Sequence, residues 1–192
     1  MKKLLVSVFA IVIVFYFSLT VFILPDAYLS NEQLIPKPSF QASLSSEEIS
    51  LGESFSIDII SQNVGEYGDI HILSTAFPTL ETLDGVVDIV TYDFSQSPHY
   101  VSIEDEVGSN YSGGLESAFA KYPSIESMNR PDQPNSKYHL SLKITPENSG
   151  IFSIYVKSII IPHTSEFSHY PMVGKLDHQN EFVEVFSVRV NP

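Results

Sequence analysis

The chain has 192 residues, which suits one domain of ordinary size plus a short appendage. Its 23 acidic residues outnumber 10 basic ones, giving a net charge of −13, and two of the basic ones, Lys2 and Lys3, precede a hydrophobic segment. A surface this acidic repels nucleic acid and anionic lipid and suits cations or a basic partner. There is no cysteine, which excludes a zinc ribbon, a blue-copper centre, an iron–sulfur cluster, a thiol nucleophile and a lipoprotein anchor. An apolar share of 43% with 13 Phe and 10 Tyr leaves ample material for a β-rich core.

Residues 4–24 form an unbroken uncharged run, LLVSVFAIVIVFYFSLTVFIL. As a helix rising ~1.5 Å per residue it would match the ~30 Å hydrocarbon core of a bilayer. A cleaved signal peptide would have a shorter apolar region ending in a small-x-small site, and Pro25-Asp26-Ala27-Tyr28 offers none. The expectation is therefore a retained signal anchor over 1–24, inserted in membrane lipid through residues 4–24. Lys2 and Lys3 stay on the cytoplasmic side, so the chain is expected to pass the cell membrane once and carry its domain on the extracellular or periplasmic face. Residues 25–38, with Pro36-Lys37-Pro38, read as an extended spacer.

From residue 39 to 192 the dominant signal is period-two alternation. Tyr138, Leu140, Leu142 and Ile144 alternate with His139, Ser141, Lys143 and Thr145. Phe55, Ile57 and Ile59 repeat the pattern, as do Phe152, Ile154 and Val156. Strands are predicted at Phe40–Ser45, Ser54–Gln62, Ile70–Ala76, Val86–Phe94, Lys137–Thr145, Ile151–Ile161 and Phe182–Val190. Turn chemistry separates them at Leu51-Gly52-Glu53, Asn63-Val64-Gly65, Asp84-Gly85 and Pro146–Gly150. The predicted fold class is all-β, a seven-stranded antiparallel sandwich. It carries two long loop insertions, 95–136 and 162–181, and is preceded by one transmembrane helix. If consecutive strands alternate in direction, the start of the first strand, the Asn63–Asp69 turn and both insertions lie at one end.

Gly52-Glu53-Ser54-Phe55-Ser56-Ile57-Asp58-Ile59 resembles the second strand of an immunoglobulin-like domain, and Asn148-Ser149-Gly150-Ile151-Phe152-Ser153-Ile154 resembles its sixth. The stretch from Leu51-Gly52-Glu53 to Asn63-Val64-Gly65 is similar to the CARDB and NEW3 type domains of prokaryotic surface proteins, where a Gly-Glu turn, a strand and an Asn-x-Gly turn recur. The resemblance implies an immunoglobulin-like sandwich. The chain departs from the antibody-type subfamilies. Ile59 and Ile154 stand where those carry paired cysteines, Phe152 replaces the corner tyrosine, and there is no tryptophan. Ile59 and Ile154 are expected to meet across the core.

The 95–136 insertion is too apolar for a free linker. Leu115, Ala118, Phe119 and Tyr122 fall at helical spacing, which predicts a short helix, either a lid over the sandwich or a docking surface. Leu115, Phe119 and Tyr122, with Tyr111 and Tyr170, are the candidate partner-binding residues. His99, His163, His169, His178 and Asp177 are candidate ligands for a divalent cation, although no HxH or HExxH spacing supports them. Asn110-Tyr111-Ser112 is an N-glycosylation sequon at Asn110. G-x-S-x-G and phosphate-cradling glycine patterns are absent, so neither an enzyme nor a cofactor is expected. The leading expectation is a non-catalytic, membrane-tethered extracytoplasmic interaction module, an accessory subunit of a membrane complex or an envelope protein, with a protein partner in the same membrane. The alternative is a surface or periplasmic metal-binding protein using the loop histidines.

Overall fold

Period-two patterning puts Phe55, Ile57, Ile59, Ser61 and Asn63 on the buried face of β3 (Phe55–Asn63), while Ser56, Asp58, Ile60 and Gln62 stay at least partly solvated. Six further strands complete the framework, β1 (Pro38–Leu44), β4 (Ile70–Ala76), β5 (Val87–Tyr92), β10 (Lys137–Ile144), β11 (Gly150–Ile161) and β14 (Phe182–Asn191). These are the seven predicted strands. In this computed structural model, which describes residues 2–23, 33–108, 118–163 and 167–192, each begins and ends within two residues of its expected bounds. The chain divides into two compact units, Met1–Gln33 and Leu34–Pro192.

In the second unit, one sheet has the order β1-β3-β10-β5, and the other has β14-β11-β4 at its centre. In chain order these are the first, second, fifth and fourth strands against the seventh, sixth and third, the arrangement of an immunoglobulin-like sandwich. One pairing departs from the antiparallel expectation: the short β2 (Glu48–Ser50) runs parallel to β14. The inner faces meet in one core cluster. Phe55, Ile57, Ile59, Leu140, Leu142 and Ile144 come from one sheet, and Leu73, Phe77, Phe152, Ile154, Val156 and Val188 from the other. Ile59 and Ile154 are both fully buried within it, and Phe55 meets Phe152 edge-on at 5.7 Å. Each such side chain contributes about 1.5–3 kcal/mol relative to exposure.

The ladders fix which loops share an end. Pro38 pairs with Asn63, Lys137 with Gln62, and Ile161 with Ile70. Asp93 N–H, just before the first insertion, donates to His139 O. The start of β1, the Asn63–Asp69 turn, both ends of the first insertion and the start of the second therefore lie together, as strand parity requires.

Two expectations change in the insertions. Both insertions contribute further strands, most of them to the second sheet. β9 (Ser124–Asn129) pairs along β4, and β6 (His99–Val101) pairs with β9. β12 (Ser168–Tyr170) pairs with β11 and β13 (Lys175–Leu176) with β14. The helix expected over Leu115–Tyr122 is not formed at its described end: Ala118–Phe119 is a strand, β8, paired with β7 (Glu106–Val107). Cross-strand pairing with Glu106 and Val107 satisfies that backbone, and it overrides the helical spacing of the side chains. The domain also begins earlier than its first strand. Leu34–Lys37 docks on the Asn63–Glu66 turn through Val64 N–H to Lys37 O, Glu66 N–H to Ile35 O and Ile35 N–H to the Glu66 carboxylate. Gly65 permits this close approach, since a Cβ there would lie 2.5 Å from Lys37 N.

In the first unit, α1 (Lys2–Ser18) continues without a gap into a π-helical turn, Leu19–Ile23. Among the described residues no helix is long and apolar enough to cross a membrane.

Replacing Ile154 by Ala should destabilise the domain by about 2–5 kcal/mol, and Ile154→Asp should prevent folding by burying an unpaired charge. Ile151→Ala, at a position 54% exposed, should change stability by less than about 0.5 kcal/mol. Urea unfolding of the three variants checks the ranking, and similar losses at positions 151 and 154 would contradict this core.

Candidate functional site

Inside the sandwich, at the end where the insertions gather, the buried face turns polar. His71 on β4 is fully buried. Its Nε2 lies 2.8 Å from Ser61 Oγ on β3 and 2.9 Å from Ser158 Oγ on β11, and its Nδ1 lies 3.2 Å from Asp132 Oδ1. Ser136 Oγ–H and Tyr138 OH donate to the same Asp132 oxygen at 2.6 and 3.0 Å. Burial pushes the Tyr138 hydroxyl up to about 12, with the charge of Asp132 adding to the rise and the Ser136 hydrogen bond opposing it. Serine, histidine and aspartate in this order have the geometry of a nucleophilic triad. Yet Ser61, Ser158, His71 and Asp132 are all 0% exposed. Sealed from solvent, the group ties the two sheets to the first insertion and offers no substrate a way in.

The outer face of the second sheet carries a different feature. β4, β9 and β11 are buried on both faces along their centres, because the insertions fold over them. Lys157 is the only charged residue of β11, and it points into this covered face. Its Nζ–H groups donate to Asp177 Oδ2 at 2.8 Å, to Gln179 Oε1 at 3.1 Å and to the Glu181 carboxylate. Asp177 also organises its own loop, since its Oδ1 accepts the N–H groups of Gln179 and Glu181, while Asn180 takes the left-handed conformation at φ 62°. Burial acts to lower the Lys157 ammonium, but the charge of Glu181 and the hydrogen bonds of both carboxylates hold it above its usual value. Burial likewise acts to raise Asp177, and the hydrogen bond and charge of Lys157 outweigh it, leaving the carboxyl below its usual value. On β9, burial pushes Glu126 up to about 7 against the opposing pull of Lys157.

These groups close one end of a cleft of about 560 Å³. Ile72, Ile159 and Ile161 form its floor; Val107, Gly108, Ala118 and Phe167 rise beside it; Glu126, Lys157, His178 and Glu181 line the polar end. A smaller recess, near 50 Å³, adjoins it against Tyr122 and Tyr155.

Of the residues nominated from sequence, Asp177, His178 and Tyr122 reach this cleft or the recess beside it. The other histidines do not join them. His99 is exposed on β6, His163 bonds Asp69 at 3.0 Å, and His169 stacks on Phe182. Among the described residues no three His, Asp or Glu side chains gather as metal ligands would. Tyr122 packs edge-on against Tyr155 and His178. Tyr170 packs against Phe40 in the same way, while Phe119 is 72% exposed. Asn110, Tyr111 and Leu115 lie outside the described residues. Sequence reading missed Lys157, Glu126 and Glu181. The available signal was a lysine inside a twelve-residue apolar strand, where lysine is seldom found unless paired.

No family model and no curated protein matches the chain. Solved structures do. A CARDB domain from Pyrococcus furiosus, determined in complex with di-metal ions, aligns at 11% identity over 84% of this chain and 98% of that one, with a TM-score of 0.38. A cohesin module of a Clostridium perfringens family 33 glycoside hydrolase aligns at 10% identity over 82% and 98%, again at 0.38. The full-length major pilin SpaD of Corynebacterium diphtheriae aligns at 8% identity over 69% and 33%, at 0.40. The immunoglobulin-like assignment rests on the strand order itself, and these scores carry nothing about function.

The Glu126 carboxyl rises from an ordinary 4.5 to about 7 on folding. Between those values the unfolded chain releases a proton that the folded protein keeps, so stability falls as pH rises through the window, by about 3 kcal/mol in all. Glu126→Gln does not titrate. Its stability relative to the parent should therefore improve by about that amount between pH 4 and pH 8 in urea unfolding. A gap independent of pH would show that Glu126 ionises as easily folded as unfolded.

Proposed function

We propose that this protein is a non-catalytic interaction module, anchored in a membrane by its N-terminal helix and displaying its immunoglobulin-like domain outside the cytoplasm to hold a protein partner of the same membrane or envelope. The observation that carries the reading is the helix surface. Ile11, Val12, Ile13, Val14, Phe15, Tyr16 and Phe17 are consecutive and between 42% and 68% exposed. Seven consecutive residues cover the whole circumference of a helix at 3.6 per turn, so the apolar surface has no wet side. A helix apolar all round is stable only when something apolar surrounds it. α1 by itself, at 17 residues, would reach ~26 Å; the π-helical turn that follows directly extends the run. The Thr20 hydroxyl within it bonds back to Tyr16 O at 3.0 Å, the satisfaction a hydroxyl needs in lipid. Lys2 and Lys3 favour a cytoplasmic N-terminus. The sealed Ser–His–Asp group favours a structural over a catalytic use of those residues. The exposed Phe119, Met172 and Val173 on the insertions, each above 70% exposed, supply apolar contact points, and confinement to one bilayer lets a modest interface hold a partner.

Two measurements test this reading. The native protein should stay with membranes through an alkaline carbonate wash, while a chain starting at Leu34 should wash off. After gentle detergent extraction it should also co-migrate with specific membrane proteins on size separation. Release of the full chain by carbonate would remove the anchor, and migration as a lone monomer would remove the stable partner.

A further inference from the structure

Where the chain enters the domain, two short stretches lie side by side and present one common face. Leu34, Pro36 and Pro38 are buried, while Ile35 and Lys37, which alternate with them, are exposed. Across from these, past the end of β3, Val64 and Glu66 are exposed as well. The bonds from Val64 N–H to Lys37 O and from Glu66 N–H to Ile35 O hold the two stretches in register, and the Glu66 carboxylate accepts Ile35 N–H at 2.7 Å. Ile35 and Val64 are 52% and 53% exposed. Lys137, at the start of β10, pairs with Gln62, so the period of two puts it on the same side as Val64, and it too is exposed. Among the described residues no carboxylate pairs with the ammonium of Lys37 or Lys137. Asp69 and Asp93, also at this end, are engaged by His163 and by the His139 N–H. Two apolar side chains therefore stand between two unpaired ammoniums.

We infer that this face rests on the headgroup layer of a phospholipid bilayer, with Ile35 and Val64 entering the layer and Lys37 and Lys137 donating to lipid phosphates. The inference rests on the anchored reading proposed above and adds which end of the domain meets the bilayer. The route of the chain is what points to lipid. Residues 24–33 join the apolar helix to Leu34, and even fully extended that link spans no more than ~36 Å. Its domain end does not swing on a spacer, because Ile35 and Lys37 are bonded into the Asn63–Glu66 turn. The face lies at the point of entry itself, within that reach of the helix whatever path the link takes.

Charge selects the same face. In a chain of net charge −13 the surface as a whole is repelled by phosphate, and the place phosphate favours is one that offers unpaired ammoniums. Lysine suits this position, since its stem lies along the apolar side chains while its head reaches the phosphate. A zwitterionic surface fits best, because an anionic one would also repel the acidic remainder of the domain within a Debye length of about 8 Å. The opposite end supplies a control. Ile151, near the start of β11, is 54% exposed. It stands ten residues from Ile161, which pairs with Ile70 at the entry end, a separation of about 33 Å at ~3.3 Å per residue.

The absence of cysteine makes the test direct, since Val64→Cys and Ile151→Cys each place one thiol in the full chain. Each variant is labelled with a polarity-sensitive fluorophore and reconstituted in phosphatidylcholine nanodiscs, with and without lipid spin-labelled near the headgroup. The label at position 64 should emit further to the blue than the label at 151. It should lose its emission in the spin-labelled discs, while the label at 151 keeps its own. Adding Lys37→Glu and Lys137→Glu together should restore emission at position 64 without changing co-elution with the discs or the far-ultraviolet circular dichroism. Equal emission from the two sites in spin-labelled discs overturns the inference, and undiminished quenching in the lysine variant overturns the part given to the lysines. Protection of Val64→Cys from a water-soluble maleimide in native membranes but not in nanodiscs would assign the face to a protein and overturn the lipid contact. A full chain that does not co-elute with the discs at all would remove the anchor, and this inference with it.

Discussion

The outer face of the second sheet must be covered, and most of what distinguishes this domain follows from that need. Seven strands complete an immunoglobulin-like sandwich, but β4 and β11 carry side chains on both faces that water does not suit: Ile72 and Leu73, Tyr155 and Val156, Ile159 and Ile160. Strands of this kind require a layer on each side. The first sheet covers one. The two insertions cover the other, lengthening the sheet with β9 and β6 and folding the β7–β8 hairpin and the Asp177–Glu181 loop across it. Lys157 is tolerable in such a place only because that loop brings carboxylates to it, and the cleft is the space left where the covering layer meets the sheet.

The inner layer solves a second problem. With no disulfide, directional polar bonds add to the apolar contacts that hold one sheet against the other. At the insertion end the alternating inward positions change from Ile57 and Ile59 to Ser61, from Ile154 and Val156 to Ser158, and from Leu73 to His71. The resulting bonds run from β3 through His71 to Asp132 and back to Tyr138 on β10, joining both sheets and the first insertion. Such a network constrains orientation, because buried polar groups have few alternative arrangements once their partners are placed.

β3 and β10 were legible because each presents one apolar face, as Phe55-x-Ile57-x-Ile59 does. β9 was not legible for the opposite reason. Ser124-Ile125-Glu126-Ser127-Met128-Asn129 is polar at alternate and adjacent positions alike, and nothing in it announces that almost all of it is buried. Its burial comes from β4 on one side and from loops distant in sequence above it. The Leu115–Tyr122 helix was expected from spacing alone, whereas Ala118 and Phe119 pair with Val107 and Glu106, a non-local term that spacing cannot contain. The cleft was half legible. Asp177 and His178 drew attention as metal ligands, but Asp177 bonds an ammonium twenty residues upstream, seen only once β11 is placed against the loop, and His178 packs on Tyr122.

Stability alone gives no reason for the polar cluster around Lys157. A buried ion pair replaced by well-packed apolar residues is often as stable or more so, and Met would fit the alternation of β11 better than Lys. What charged groups add is register. An apolar loop could slide along β11 with little change in energy, whereas Lys157 must meet Asp177, Gln179 and Glu181 together, which pins the loop to one position over the sheet. Glu126 does not share that role equally, since its carboxyl is raised while that of Asp177 is depressed. Folding therefore works against its ionisation, the reverse of what burial beside Lys157 does to Asp177, so the two carboxyls meet the same ammonium in different charge states near neutral pH.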